Sequence, residues 1–126
     1  MKEKYERWDP IEGLPDNPFF YEMYFQSGKL VVLLKESDLV DKCLKIEFSN
    51  PLGYRIVNES GRLKTLDSQV IYTFCKTDVS KFLKWFDEES YGIFDDVAKY
   101  HYMVCNSDNI IDVITIQEPY VSWIDL

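Results

Sequence analysis

With one histidine, three scattered cysteines and five glycines, this 126-residue chain lacks the raw material for several common chemistries. No two cysteines form a CxxC pair, so the ligand spacing of a zinc site is missing. The glycines form no Gly-rich phosphate loop, and no GxSxG motif marks a nucleophile elbow. The longest uninterrupted apolar run is Leu30 to Leu34, far short of the roughly 20 residues that span a bilayer. The opening MKEKYERWDP carries acids and no apolar h-region, so no signal peptide is expected and the expected location is the cytoplasm. Cys43, Cys75 and Cys105 each sit in an apolar stretch, as free buried thiols do.

What is present favours a folded chain. Hydrophobic residues make up 46% and aromatics 16%, too much for disorder. The length suits one domain, residues 1–126, which buries roughly two thirds of its unfolded surface without staples. The net charge of -8 is unevenly placed. Residues 87–125 hold nine acids against Lys99 alone, whereas residues 1–63 carry 9 basic and 11 acidic side chains. Nucleic acid and anionic membranes select for Lys and Arg, so neither is an expected partner. A basic protein partner, or plain solubility, fits the acidic third.

Alternation of period two predicts strands. In Lys42 to Phe48, Leu44, Ile46 and Phe48 face one way and Cys43, Lys45 and Glu47 the other. Phe19 to Phe25 places Phe19, Tyr21, Met23 and Phe25 on one face, and Ser27-Gly28 turns the chain into Leu30 to Leu34. Leu52 to Val57, Val70 to Cys75 and Val121 to Asp125 read as further strands. Ala98 to Cys105 and Asn109 to Ile116 form a hairpin around the turn formers Asn106 to Asn109. If Cys105 pairs with Ile110, His101, Met103, Cys105, Ile110, Asp112 and Ile114 share a face. Val79, Phe82, Leu83 and Phe86 repeat at helical spacing, predicting one principal amphipathic helix over 78–88, capped by Thr77 or Asp78 and stopped at Gly92. The expected fold class is α+β: a mostly antiparallel sheet of six or seven strands with that helix on one face.

Candidate chemistry concentrates in two places. WFDEESYGIFDD, residues 85–96, holds five carboxylates beside Trp85, Phe86, Tyr91 and Phe94. Read as a calcium loop starting at Asp87, it fits Glu89 and Gly92 but puts Tyr91 and Ala98 where ligands belong. A glycosidase pair needs a cleft and one carboxyl of raised pKa, and neighbouring acids are usually solvated. Acids in the last turn of a helix oppose its dipole by a few tenths to ~1 kcal/mol each, a local violation of the kind found at functional surfaces. The residues expected to contact a partner are therefore Trp85, Asp87, Glu88, Glu89, Tyr91, Asp95 and Asp96; no metal, cofactor or catalytic residue is expected. The second place is the His101–Asp112 diagonal, which a small hydrolase can use if a third polar group completes it in a pocket. A smaller group, Arg55, Glu59 and Arg62, allows a Glu59–Arg62 staple or, weakly, a phosphate contact. A homodimer through the Val121 to Asp125 strand edge is the remaining alternative.

The order RWDPIEGLP, LKIEFSNPLGYRIVNESGRL, FLKWFDEESYGI and HYMVCNSDNIIDVIT, spanning nearly the whole chain, resembles a set of small bacterial proteins. Their pattern is an R-W-x-P-I/F-x-G-L-P opening, a strand ending in Y-R-x-x-x-E, an F-x-x-W-F-x-E-E-S-Y-G helix end and an H-Y hairpin closing on I-D-V. The type is similar to immunity proteins that neutralise polymorphic or contact-delivered bacterial toxins. The resemblance implies a small cytoplasmic protein without cofactor that binds one toxin domain, and it carries no catalytic residue. The expected function is thus a protein-binding module that occludes a basic toxin with an acidic surface, rather than an enzyme.

Overall fold

The computed structural model describes residues 2–126. Among them, nine strands occur: β1 (Glu6–Arg7), β2 (Phe19–Gln26), β3 (Lys29–Lys35), β4 (Lys42–Ser49), β5 (Gly53–Asn58), β6 (Phe74–Thr77), β7 (Tyr100–Cys105), β8 (Asn109–Thr115) and β9 (Tyr120–Asp125). A 3-10 turn, Glu59–Arg62, leads into the short helix α1 (Leu63–Ser68), and the principal helix α2 is Lys81–Glu89. The strands form two antiparallel sheets ordered β1-β6-β7-β8-β5 and β2-β3-β4-β9. The α+β class holds, but the single sheet of six or seven strands becomes two sheets with more strands. Alternation specifies which side chains face a core; it does not specify which strands share a ladder.

The main core lies between the sheets. Leu30, Val32 and Leu34 of β3 and Leu44, Ile46 and Phe48 of β4 meet Phe74, Tyr102, Val104, Ile111 and Val113 from the other sheet. The outer face of the five-stranded sheet is covered in two patches. Tyr5 and Leu66 pack on Cys75, Met103 and Ile110, while Phe82, Leu83 and Phe86 of α2 pack around Ile114.

Several elements follow the sequence closely. Cys105 does pair with Ile110, so His101, Met103 and Asp112 point outward from the main core, towards α2. Asn106 Oδ1 accepts from the amides of Asp108 and Asn109, which makes the hairpin turn, and Asp108 Oδ2 takes the Phe20 amide of the opposite sheet at 3.0 Å. The β2–β3 turn has positive φ at both Ser27 (52°) and Gly28 (77°), the backbone twist that a two-residue hairpin requires.

Other elements move. A bulge between Phe20 and Glu22 puts Phe20 and Met23 against the core and leaves Tyr21 and Phe25 exposed, breaking the expected face of Phe19, Tyr21, Met23 and Phe25. The strand expected over Val70 to Cys75 starts at Phe74, because its partner β7 ends at Cys105 and the chain then turns. The helix starts later than expected. Thr77 belongs to β6, and Ser80 is the N-cap, its Oγ accepting from the Leu83 amide at 3.1 Å. Val79 is consequently outside α2 and exposed. The helix ends at Glu89 with Ser90 as its C-cap, and Tyr91 (φ 54°) rather than Gly92 is the first left-handed residue; Gly92 (φ 71°) completes the stop, its amide reaching back to Asp87 O at 2.9 Å. Among the described residues no helix is long and apolar enough to cross a membrane.

Since Ser80 closes both a helix end and a hydrogen bond to buried His101, Ser80→Ala is expected to lower unfolding free energy by about 2 kcal/mol in urea titrations. Thr77→Ala, whose hydroxyl serves a local turn, is expected to lose less.

Candidate functional site

The acidic segment occupies the C-terminal end of α2 and the turns after it, and it does not act as one surface. Asp87 faces inward along the helix and pairs with Lys99 Nζ at 2.9 Å, while Lys99 also donates to Phe94 O. Glu88 lies 3.8 Å from Lys84, one turn back. The expectation that these acids gain nothing within the chain therefore fails at Asp87, whose pairing with a nearly buried lysine offsets the dipole, and is weakened at Glu88. Asp95 folds back over the turn, its amide donating to Gly92 O at 3.0 Å, and its side chain is exposed. Glu89 and Asp96 are exposed.

The aromatic residues of the segment divide the same way. Phe86 packs on Phe94, but Tyr91 is 98% exposed and sits at φ 54°, a left-handed conformation unusual for a bulky residue. Trp85 is 53% exposed and stacks on Phe82 with ring centroids 5.8 Å apart. It forms one wall of a groove of about 670 Å³ between α2 and β5, which Leu52, Tyr54 and Phe86 also line and Arg55 and Glu89 border. Trp85 and Glu89 thus border one groove and Tyr91 is exposed in the turn after it, whereas Asp87 lies on another side of the helix beside Val97 to Tyr100.

Beneath α2 lies the densest polar chemistry of the molecule. Asp112, fully buried in β8, accepts at Oδ1 from His101 Nε2 (2.6 Å) and at Oδ2 from Arg55 Nε (2.9 Å) and from Arg62 Nη1. An ionised carboxylate only accepts, so His101 carries its proton on Nε2. Its Nδ1 lies 2.8 Å from the Ser80 hydroxyl, whose oxygen accepts from the Leu83 amide. Burial by itself pushes the Asp112 carboxyl up. The hydrogen bond and charge of His101, with Arg62 and Arg55, outweigh it and hold the group at about 2. Tyr5 and Phe82 present ring edges to the imidazole at 5.6 and 5.4 Å. The Arg55 guanidinium lies 4.3 Å from the Phe82 centroid.

The expected His101–Asp112 contact exists, and Ser80 supplies a third polar group. Yet the Ser80 oxygen is engaged on both sides and all three side chains are buried, so no substrate carbonyl has a path to the hydroxyl. The arrangement does what a buried strut does: it ties β7, β8, β5, the 3-10 turn and α2 to one carboxylate. Of the options open to Arg62, the Glu59 staple is not taken; it pairs with Asp112, because leaving a buried carboxylate without its cation costs far more than leaving an exposed one. Ser80, Arg55, Arg62 and Tyr5 are the members that sequence reasoning did not join to this site. The signal was available in IIDVIT, where an aspartate on the covered face of an apolar strand demands compensating donors, and Arg55 lies directly across the ladder from it.

Burial pushes the thiols of Cys75 and Cys105 up to about 11 and about 12, which keeps both protonated and unreactive at neutral pH. Among the described residues no group of three His, Cys, Asp or Glu side chains is placed to hold a metal ion. No family model, curated protein or solved structure matches this chain.

Removing the carboxylate charge leaves two guanidinium groups around an uncharged amide, so Asp112→Asn is expected to destabilise the fold by about 3 to 5 kcal/mol in urea unfolding. The lowered carboxyl pKa stabilises the fold fully above pH ~4 and the contribution is lost as pH falls towards 2. It is worth on the order of 2 kcal/mol. Acid unfolding followed by circular dichroism should show that loss in the natural chain and not in Asp112→Asn.

Proposed function

We propose that this chain is a protein-binding module that grips a basic partner at the α2 end, and that its specific role is that of an immunity protein neutralising a toxin domain. The observation that carries the reading is Tyr91. A tyrosine at the left-handed position of the helix C-terminus, where glycine fits without strain, costs ~1 to 2 kcal/mol; its amide caps Glu88 O at 3.2 Å, but its 98% exposed ring adds no packing that would favour tyrosine over glycine there. Glu88, Glu89, Asp95 and Asp96 surround it with negative charge. Half-exposed Trp85 and the groove beside it offer an apolar anchor next to that charge. Aromatic anchors inside a charged rim are the usual make-up of a binding hot spot, with charge setting the rate and direction of encounter. The acidic C-terminal third selects a partner of positive charge, and the resemblance to toxin-neutralising proteins gives that partner a class.

Bound to the basic protein it captures from its native host, the chain is expected to lose affinity about 100-fold on Tyr91→Ala. Affinity should also fall steeply with salt, and the pair Glu88→Lys with Asp95→Lys should slow association. Isothermal calorimetry and stopped-flow association measure the two effects. An affinity that survives all three substitutions would move the interface elsewhere.

A further inference from the structure

The opposite end of α2 has the opposite charge. There a cavity of about 400 Å³ opens over the buried network, lined by Arg55, Arg62, Lys2, Lys64, Lys81 and one acid, Glu3. Five of the chain's fourteen basic residues converge on it, in a protein of net charge -8. Both nearby carboxylates already have partners. Glu3 Oε2 is taken up by the Tyr5 hydroxyl at 2.7 Å and the Lys81 amide at 3.1 Å. Asp112 lies buried behind the arginines and is shared by both of them. Five positive charges thus meet two negative ones.

The two guanidinium groups are also fixed in advance. Arg55 is held between Asp112 and the Phe82 face, and Arg62 between Asp112 and the Met103 sulfur at 3.8 Å from its Nη2. Cations that converge in a concave site of low dielectric focus a positive potential, and locked arginines lose little entropy when an oxyanion arrives. The volume lies in the range of small-molecule sites and exceeds a bare inorganic ion. Planar forks flanked by exposed lysines match the geometry of phosphate oxygens.

We infer that this pocket binds a phosphorylated small molecule through its phosphate groups. The pocket shares Arg55 and Lys81 with the groove beside Trp85 but includes neither Tyr91 nor the acids near it, so binding at one site does not require the other.

Pyrophosphate is the probe. The isotope-labelled full chain, in a phosphate-free buffer at constant ionic strength, is titrated and followed by amide chemical shifts. Saturable shifts are expected at Arg62, Lys64, Thr65 and Lys81. Lys64→Glu with Lys81→Glu, two exposed positions whose variant should keep a dispersed sheet spectrum, is expected to weaken binding tenfold or more. Lys42→Glu, on the other sheet, should leave it unchanged. Shifts that never saturate by about 10 mM, shifts confined to the Tyr91 turn, or equal binding of succinate would each overturn the assignment.

Discussion

One carboxylate organises the covered side of the five-stranded sheet. Asp112 has no water to solvate it, and it remains charged because three donors from separate segments converge on two oxygens. The 3-10 turn is positioned by Arg62, the edge strand β5 by Arg55, and α2 by the Ser80–His101 relay. Had any of these segments settled elsewhere, the buried charge would lose one of its three partners. That penalty, several kcal/mol, gives this face a single arrangement where apolar packing alone tolerates alternatives.

The same anchoring explains why α2 carries charges against its dipole at both ends. Its first turn holds no acid and its last turn no base. The complementing groups arrive from elsewhere in the chain: Glu3 at the Lys81 amide and Lys99 against Asp87. Tertiary contacts thereby relieve what local rules would penalise. At Tyr91 the left-handed turn closes the helix end, its amide donating to Glu88 O at 3.2 Å and the next amide to Asp87 O at 2.9 Å, yet the exposed ring gains no packing in exchange for the strain.

Much of the fold was legible one strand at a time. Alternation in β4, the Ser27-Gly28 turn and the Asn-rich hairpin were readable because each rests on local periodicity or turn chemistry. The division into two sheets was not, since β4 pairs with the distant β9 and β1 with β6. A bulge beside Tyr21 escaped for a different reason: one extra residue reverses the faces without leaving a mark in composition. At the candidate site, the His101–Asp112 contact was foreseeable from hairpin register. Its arginine partners needed knowledge of which strand lies beside β8.

Pairing of β4 with β9 also has a temporal side. On a ribosome, β2, β3 and β4 emerge and can zip into a meander long before β9 exists, so β4 presents an open edge and the apolar row Leu44, Ile46 and Phe48 to whatever is nearby. Lys45 and Glu47 alternate with that row on the opposite face. Such charges act as gatekeepers against edge-to-edge association, guarding the nascent chain until its last strand closes the sheet.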